Sequence, residues 1–375
     1  MTKIFKFSLL TLLLPLTCCE NSSNYERKLI FTEFCCGQFV NDRAVEIYNY
    51  TDDEVDLSKY SLAIYRHGSE NPSETIKLDG KLGSKKTYVV TYSESDSSFK
   101  EKADLVSKDL MNNGSYSMSI LYKNKYVVDV LGDIGYNFDI AEYSDLVRKV
   151  EYFSPRDKYV EYEWIRYPIA TLSNLGNVNC VSEEILLKGP RLTQKDLDTP
   201  FCESSVMGNG GTIKAPLSYS IDGDTSKINF GYEYEEYGIS GNLSVRYFGI
   251  NTPEIAHGQS DHADAYGNEA RDYTERLVES AKSIVIQSIK DYSLHETYGR
   301  VLGYVWVSDK INPTPEDYEL LSYKVVKEGL AKVGFITRGD EYINKMTYNG
   351  ISYVEYLYDA QNYAKLMKLN IHSEK

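Results

Sequence analysis

The stretch Val245-Arg246-Tyr247-Phe248-Gly249-Ile250-Asn251-Thr252-Pro253-Glu254 joins an arginine and an alternating apolar run to a turn carrying Asn, Thr, Pro and Glu. In an extended strand side chains two apart share a face, so Arg246, Phe248 and Ile250 are expected to point one way. Pro253 stiffens the exit and removes a backbone donor. A guanidinium fork and a carboxylate on one stiff unit suit gripping a phosphate beside an acid or base. Two other stretches carry related chemistry. Tyr219-Ser220-Ile221-Asp222-Gly223-Asp224-Thr225 is a strand running into a turn with two carboxylates, and Glu296-Thr297-Tyr298-Gly299-Arg300-Val301-Leu302-Gly303-Tyr304 sets a second arginine at the start of a strand. Singly each is weak, because Asp-Gly-Asp is common in surface turns and a lone Tyr-Gly-Arg is uninformative.

The rest of the chain has to position these groups. A length of 375 residues suffices for two domains of ordinary size. A charged fraction of 26% with a hydrophobic fraction of 42% is globular in character. The formal charge of −14 opposes indiscriminate nucleic-acid binding, since neutralising phosphates takes Lys and Arg. Tyrosine is abundant at 34 residues, with Tyr232, Tyr234 and Tyr237 clustered. The plain reading is β-structure, which tyrosine favours, and the sharper one is a base-stacking platform.

The cysteines are Cys18, Cys19, Cys35, Cys36, Cys180 and Cys202. None falls in a C-x-x-C spacing, which argues against a structural zinc site. Cys180 and Cys202 flank a polar connector and could form a disulfide in an oxidising compartment. Cys35 and Cys36 are adjacent, face opposite sides of an extended segment, and read as buried thiols.

Residues 1–18 have the charge and length of a secretory signal: Lys3 and Lys6, then an apolar run from Phe7 to Leu16 that is short for a membrane span. Leu16-Thr17-Cys18-Cys19-Glu20 resembles the cleavage box of a bacterial lipoprotein signal. That resemblance implies lipidation of Cys19, with Cys18 as the alternative, and stable anchoring to the outer face of the cell membrane. An ordinary signal peptide with incidental cysteines is the competing reading. Residues 19–27 then read as a polar tether.

Residues 28–177 read as short strands between turn clusters, an arrangement expected of a β-sandwich. Ala44 to Asn49, Asp56 to Tyr65, Thr87 to Tyr92, Ser119 to Tyr122 and Tyr126 to Val130 are the main runs, the last two joined by Lys123-Asn124-Lys125. Phe31-Thr32-Glu33-Phe34, Ala44-Val45-Glu46-Ile47-Tyr48-Asn49 and Val55-Asp56-Leu57-Ser58-Lys59-Tyr60-Ser61-Leu62 resemble the opening of a lamin-tail domain. Asn113-Gly114, Val127-Val128-Asp129-Val130-Leu131-Gly132, Leu146-Val147-Arg148-Lys149 and Glu163-Trp164 continue the pattern. The resemblance implies an immunoglobulin-like β-sandwich acting as a binding or positioning module. Glu33 and Glu46 form a carboxylate pair within those strand motifs, and a structural role is expected for them.

Residues 178–211, with Pro190, Pro200 and Met207-Gly208-Asn209-Gly210-Gly211, read as a linker; the glycine run lacks the Lys-Ser/Thr of a phosphate loop. In residues 212–375 the three chemical stretches occur in order with Tyr266-Gly267-Asn268-Glu269-Ala270, Gly329-Leu330-Ala331-Lys332-Val333 and Lys368-Leu369-Asn370-Ile371. Together they resemble the staphylococcal nuclease (thermonuclease) family. The implied fold is an oligonucleotide-binding (OB-fold) β-barrel with packed helices, making the whole chain mainly β with two domains. The pattern predicts strands to about Ile250, a helix over 267–282, strands over 283–289 and 301–307, and helices near 315–329 and 354–368. Thr314-Pro315-Glu316 supplies a cap and proline for the first of those last two.

The resemblance implies a role for each matching position. Asp224 would bind calcium as a carboxylate ligand and Thr252 through its backbone carbonyl, hard oxygen donors of the kind calcium prefers. Glu254 would activate or orient water, Arg246 and Arg300 would clamp the phosphodiester, and Tyr298 would line the nucleotide pocket. Asp222 would shape the turn. Three positions depart from the family. Asn251 stands where a second aspartate ligand is usual, which removes a charge and should weaken calcium binding. Phe335 and Thr337 stand where nucleotide-contacting tyrosines are usual; a phenyl ring keeps stacking and loses the hydroxyl contact. Residues 231–241 and 312–317 are inserts.

From Thr212 onward, 17 Lys and Arg stand against 24 Asp and Glu, a balance of −7. Substrate affinity would then rest on the local arginines and calcium and depend steeply on salt. The expectation is a lipid-anchored, calcium-dependent extracellular nuclease acting on DNA and RNA for nucleotide scavenging, with no second protein implied. The alternative is a surface nucleic-acid-binding or adhesion module silenced through Asn251.

Overall fold

Alternating apolar residues in the first half build two largely antiparallel sheets around a shared core. The computed structural model describes residues 27–37, 41–136, 141, 144–167, 175–178, 181–256, 263–338 and 340–373. The expected leader, the tether up to residue 26, Cys18, Cys19 and Cys180 lie outside the described residues. One sheet has six strands in the order Trp164–Tyr167, Asp145–Arg148, Leu29–Cys36, Arg43–Asn49, Thr87–Tyr92 and Leu105–Ser107. The other has four, Tyr126–Leu131, Ser117–Tyr122, Tyr60–Tyr65 and Glu74–Lys77. Phe31, Val45, Ile47 and Val90 of the first meet Leu62, Ile64, Met118, Ile120 and Val128 of the second in one cluster. Lys123 and Asn124 take φ of +51° and +54°, the left-handed pair that closes a tight hairpin with the right twist. Asp129 ties the sheets together: its Oδ2 accepts from Phe31 N at 2.8 Å and pairs with Arg148 at 2.9 Å.

The second half is organised on a sheet whose strands run Thr212–Lys214, Ser283–Gln287, Val301–Ser308, Ile239–Tyr247, Thr225–Tyr234 and Leu217–Ser220, with Glu319–Leu320 added beside Val301–Ser308. Ile239–Tyr247 and Val301–Ser308 pair in parallel, the other strands antiparallel. Helices Gly267–Ser280, Leu321–Lys327 and Tyr353–Leu366 pack on it. In place of one helix near 315–329 there is a 3₁₀ turn, Pro315–Asp317, then the short strand, then the helix from Leu321. Leu320 pairs with Trp306 and both are fully buried, so sheet pairing overrides helix propensity there. In the insert, Tyr234 packs on Phe201 and Tyr237, the β-structural reading, while Tyr232 stays exposed.

The linker expected over 178–211 is instead built into the core where it is described. Ser182 and Thr193 cap the short helices Glu183–Leu187 and Gln194–Asp198. Leu186, Leu192 and Phe201 join the same cluster as Trp306 and Tyr323. The glycines permit close packing: a Cβ on Gly211 would stand 2.0 Å from the Thr199 carbonyl oxygen. Ser288 Oγ accepts from Asn209 N at 3.2 Å and Gly210 N at 3.1 Å, which fixes the run.

The halves also meet directly. Val147, Ile165 and Val181 enter the core of the second half beside the helix Tyr353–Leu366. Lys149 Nζ and Asp359 Oδ1 form an ion pair at 2.5 Å with both side chains buried. Arg338 spans the seam, reaching Glu161 Oε1 at 2.7 Å and Glu355 Oε1 at 3.0 Å.

Candidate active site

Strand register brings the three chemical stretches to one end of the sheet. Thr225 lies opposite Arg246 in the antiparallel pair, so the Asp-Gly-Asp turn stands beside that arginine. Val245 pairs in parallel with Val301, which carries Arg300 to the same edge. The turn cannot hold a larger residue at its centre: a Cβ on Gly223 would lie 2.7 Å from Thr252 Cγ2 and 2.9 Å from Ala270 Cβ. Thr274 of the helix Gly267–Ser280 donates to the Gly223 carbonyl at 2.8 Å and clamps the turn from below.

Asp224 is buried at the centre of this arrangement. Its Oδ2 accepts from Thr252 N at 2.8 Å and Thr252 Oγ1 at 3.0 Å, and it lies 3.2 Å from Arg246 Nη2. Arg246 Nη2 also donates to Asn251 Oδ1 at 3.2 Å, and Nη1 donates to the Tyr247 carbonyl at 2.9 Å. Asp222 Oδ1 accepts from Asp224 N at 3.0 Å, an Asx turn that holds the loop. Burial, with repulsion from Asp224, pushes the Asp222 carboxyl up from 3.8 to about 6.

The strand does not continue as the alternation predicts. It ends at Tyr247, the chain turns at Phe248 and Gly249, and pairing resumes at Ile250–Asn251 against Lys332–Val333. Gly249 has φ of +82°, a conformation that favours glycine. Phe248 and Ile250 therefore enter the core while Arg246 reaches the carboxylate.

Arg300 is aimed by a neighbour that the sequence reading left without a role. Its Nε donates to Glu296 Oε1 at 3.0 Å, and that hydrogen bond raises the guanidinium pKa above its ordinary value. Thr225 Oγ1 stands between the charged groups, 3.4 Å from Arg300 Nη1 and 3.2 Å from Asp224 Oδ1. Both residues sit inside the quoted stretches, Glu296 at the i−4 spacing from Arg300 and Thr225 directly after Asp224. Only the folded register shows what they touch.

Glu254 is exposed at the edge of a cleft that Asn251, Thr252, Asp264 and Lys332 also line. Its backbone is pinned: Asp264 N donates to its carbonyl at 2.9 Å and Asp264 Oδ2 accepts from its N–H at 3.2 Å. A Cβ on Gly267 would come within 2.3 Å of the Glu254 carbonyl oxygen, so the helix start is packed against this turn. Tyr298 is 85% exposed in the turn before Arg300, and Phe335 is 79% exposed with the Arg246 guanidinium 5.4 Å from its ring centre. Thus Asp224, Arg246, Asn251, Thr252 and Arg300 form a connected set, with Glu254, Tyr298 and Phe335 at its margins.

The donor set suits a hard divalent cation. Asp224, Asn251 and the Thr252 carbonyl offer oxygens, the ligand type of calcium, and waters would have to complete a shell of about 6–8. Arg246 Nη2 already bridges Asp224 Oδ2 and Asn251 Oδ1, which shows that the two oxygens converge on one cationic group.

Residues 244–373 match the family model described as staphylococcal nuclease homologue. The chain is similar to a thermonuclease of Staphylococcus intermedius, 30% identical over 147 residues, which is 39% of this chain and 73% of that relative. The Asp-Gly-Asp turn precedes the matched span and is joined to it by the Thr225–Arg246 pairing. The molecule is mainly β with packed helices, and its carboxyl-terminal region has the OB-fold of this family. The chain belongs to the staphylococcal nuclease homologue family.

Proposed function

We propose that this protein is a calcium-dependent nuclease that hydrolyses phosphodiester bonds of DNA and RNA. The observation that carries the reading is the convergence of Arg246 and Arg300 on either side of Asp224, linked through the Thr225 hydroxyl. Two guanidinium forks at one sheet edge grip a phosphodiester and stabilise the charge that grows on its oxygens during attack. Glu254, exposed in the cleft that Asn251 and Thr252 also line, accepts the proton of the attacking water as its oxygen bonds to phosphorus, while the bond to the leaving oxygen breaks and that oxygen takes a proton from solvent. Asp224, Asn251 and the Thr252 carbonyl would hold calcium, which when bound would supply positive charge against the phosphoryl oxygens. Tyr298 and Phe335 offer faces on which bases stack.

The leader chemistry at Cys19 supports a lipid-anchored protein on the extracellular side of the cell membrane, where it would scavenge nucleotides. The strand motifs over 28–177 and the two-sheet core they form support a lamin-tail, immunoglobulin-like positioning module. The acidic balance supports substrate binding that weakens steeply with salt. Asn251 favours a second reading, a nucleic-acid-binding surface protein without turnover. The full chain assayed on single-stranded DNA with calcium, with chelator and as Glu254→Gln separates the two. Calcium-dependent cleavage lost in the variant is expected; intact DNA binding without calcium-dependent cleavage would establish the second reading.

A further inference from the structure

The outer face of the six-stranded sheet in the first half carries a group of side chains that the nuclease site does not use. Cys35 pairs across the ladder with Asp145, and Glu33 lies two residues before Cys35 on the same face. Cys35 Sγ stands 3.2 Å from Glu33 Oε1 and 3.2 Å from Asp145 Oδ1. Glu33, Cys35 and Asp145 are all fully buried, walled on this face by Ala44, Val89, Phe99 and Leu175. Neighbouring Glu46 is already held, by Thr32 Oγ1 at 2.6 Å and Gly176 N at 2.8 Å. Glu33 is held through Oε1 alone: among the described residues its Oε2 has no hydrogen-bond partner.

A carboxylate without water or a counter-charge is strongly disfavoured, and it is relieved either by a proton or by a metal ion. From this geometry we infer that Glu33, Cys35 and Asp145 form a binding site for a thiophilic divalent cation of the zinc class. A thiolate among the ligands selects zinc over calcium, because calcium takes hard oxygen donors. Zinc bonds of ~2.3 Å to sulfur and ~2.0–2.2 Å to carboxylate oxygen place tetrahedral S and O ligands about 3.5 Å apart, near the observed spacing. The site needs no C-x-x-C spacing, since its ligands come from two strands. The ion ties Leu29–Cys36 to Asp145–Arg148 as a structural brace and is independent of the nuclease reading.

The test is a cobalt(II) titration of the chelator-treated full chain, its fold monitored by circular dichroism. The expected result is a thiolate-to-cobalt absorption band that saturates at one ion per chain, is displaced by zinc and ignores calcium. The band disappears in Cys35→Ser, which separates this thiol from Cys36 and Cys202. Glu33→Gln keeps the thiol and weakens cobalt binding by more than the roughly 10–100-fold lost when only an outer partner of a ligand is removed. No band in folded wild-type protein, or a band that persists in Cys35→Ser, overturns the site.

Discussion

Arg246 Nη2 lies 3.2 Å from Asp224 Oδ2, so the guanidinium is anchored at one end by the carboxylate while its plane rests near the exposed ring of Phe335. A lysine would bring one point charge and could not reach Asp224, Asn251 and the Tyr247 carbonyl together. Arg246→Lys is expected to lower kcat on single-stranded DNA by ~10²–10³, the loss typical of removing one preorganised donor to a developing oxyanion. Steady-state kinetics at saturating calcium check this. A variant that retains wild-type kcat would remove Arg246 from the reaction.

Asn251 shares that same guanidinium nitrogen, at 3.2 Å. Asn251→Asp adds a charge to the oxygen set without changing its shape. Half-maximal activity should then need roughly tenfold less calcium, because charge count tunes calcium affinity. Activity followed against free calcium reads this directly, and an unchanged midpoint would place Asn251 outside the metal's ligands.

Gly267 opens a helix, where alanine is intrinsically favoured by about 1 kcal/mol. Its predicted Cβ contact of 2.3 Å with the Glu254 carbonyl reverses the sign. Gly267→Ala is expected to destabilise by ~1–3 kcal/mol, as overpacking does, and to lower activity by displacing the turn that carries Glu254. Thermal unfolding measures the first effect; a stabilised variant would show that the turn moves aside freely.

The three stretches of the candidate site stand out in the sequence because each carries its chemistry in residue type and they follow a recognisable order. The contacts between them were not. Thr225 closes the Asp-Gly-Asp stretch with no role assigned by the sequence, and its position between Asp224 and Arg300 depends on cross-strand register. Cys35 and Asp145 are 110 positions apart and meet only through the ladder. The connector misled for a different reason: helices as short as Glu183–Leu187 show no period, and glycines that allow close packing look like glycines that allow freedom.

Lys149 and Asp359 form a buried ion pair between the halves. Lys149→Met strands the Asp359 carboxylate and should destabilise by ~3–5 kcal/mol, whereas Lys149→Met with Asp359→Leu should recover most of the loss. Denaturant unfolding of the three proteins checks the pattern. Equal losses in the single and double variants would contradict it.

Asp317 supplies a pH-dependent effect of known sign. Hydrogen bonds from Lys310 and Thr314 lower its carboxyl from 3.8 to about 2. A depressed acid contributes stability above its unfolded value and loses it as pH falls through its folded value. Asp317→Asn should therefore be less stable than wild type near neutrality, with the gap closing between about pH 4 and about pH 2. Urea unfolding across that range tests it, and a gap that stays constant would mean the pair contributes nothing.

Arg338 fastens the first half to the arm that carries Phe335. It stands three residues past Phe335, and its guanidinium is tethered to Glu161 upstream and to Glu355 on the last long helix. The loop that presents the Phe335 ring is thereby moored to a residue of the first half. Cutting away the upstream half would therefore unfasten one end of the arm that carries Phe335.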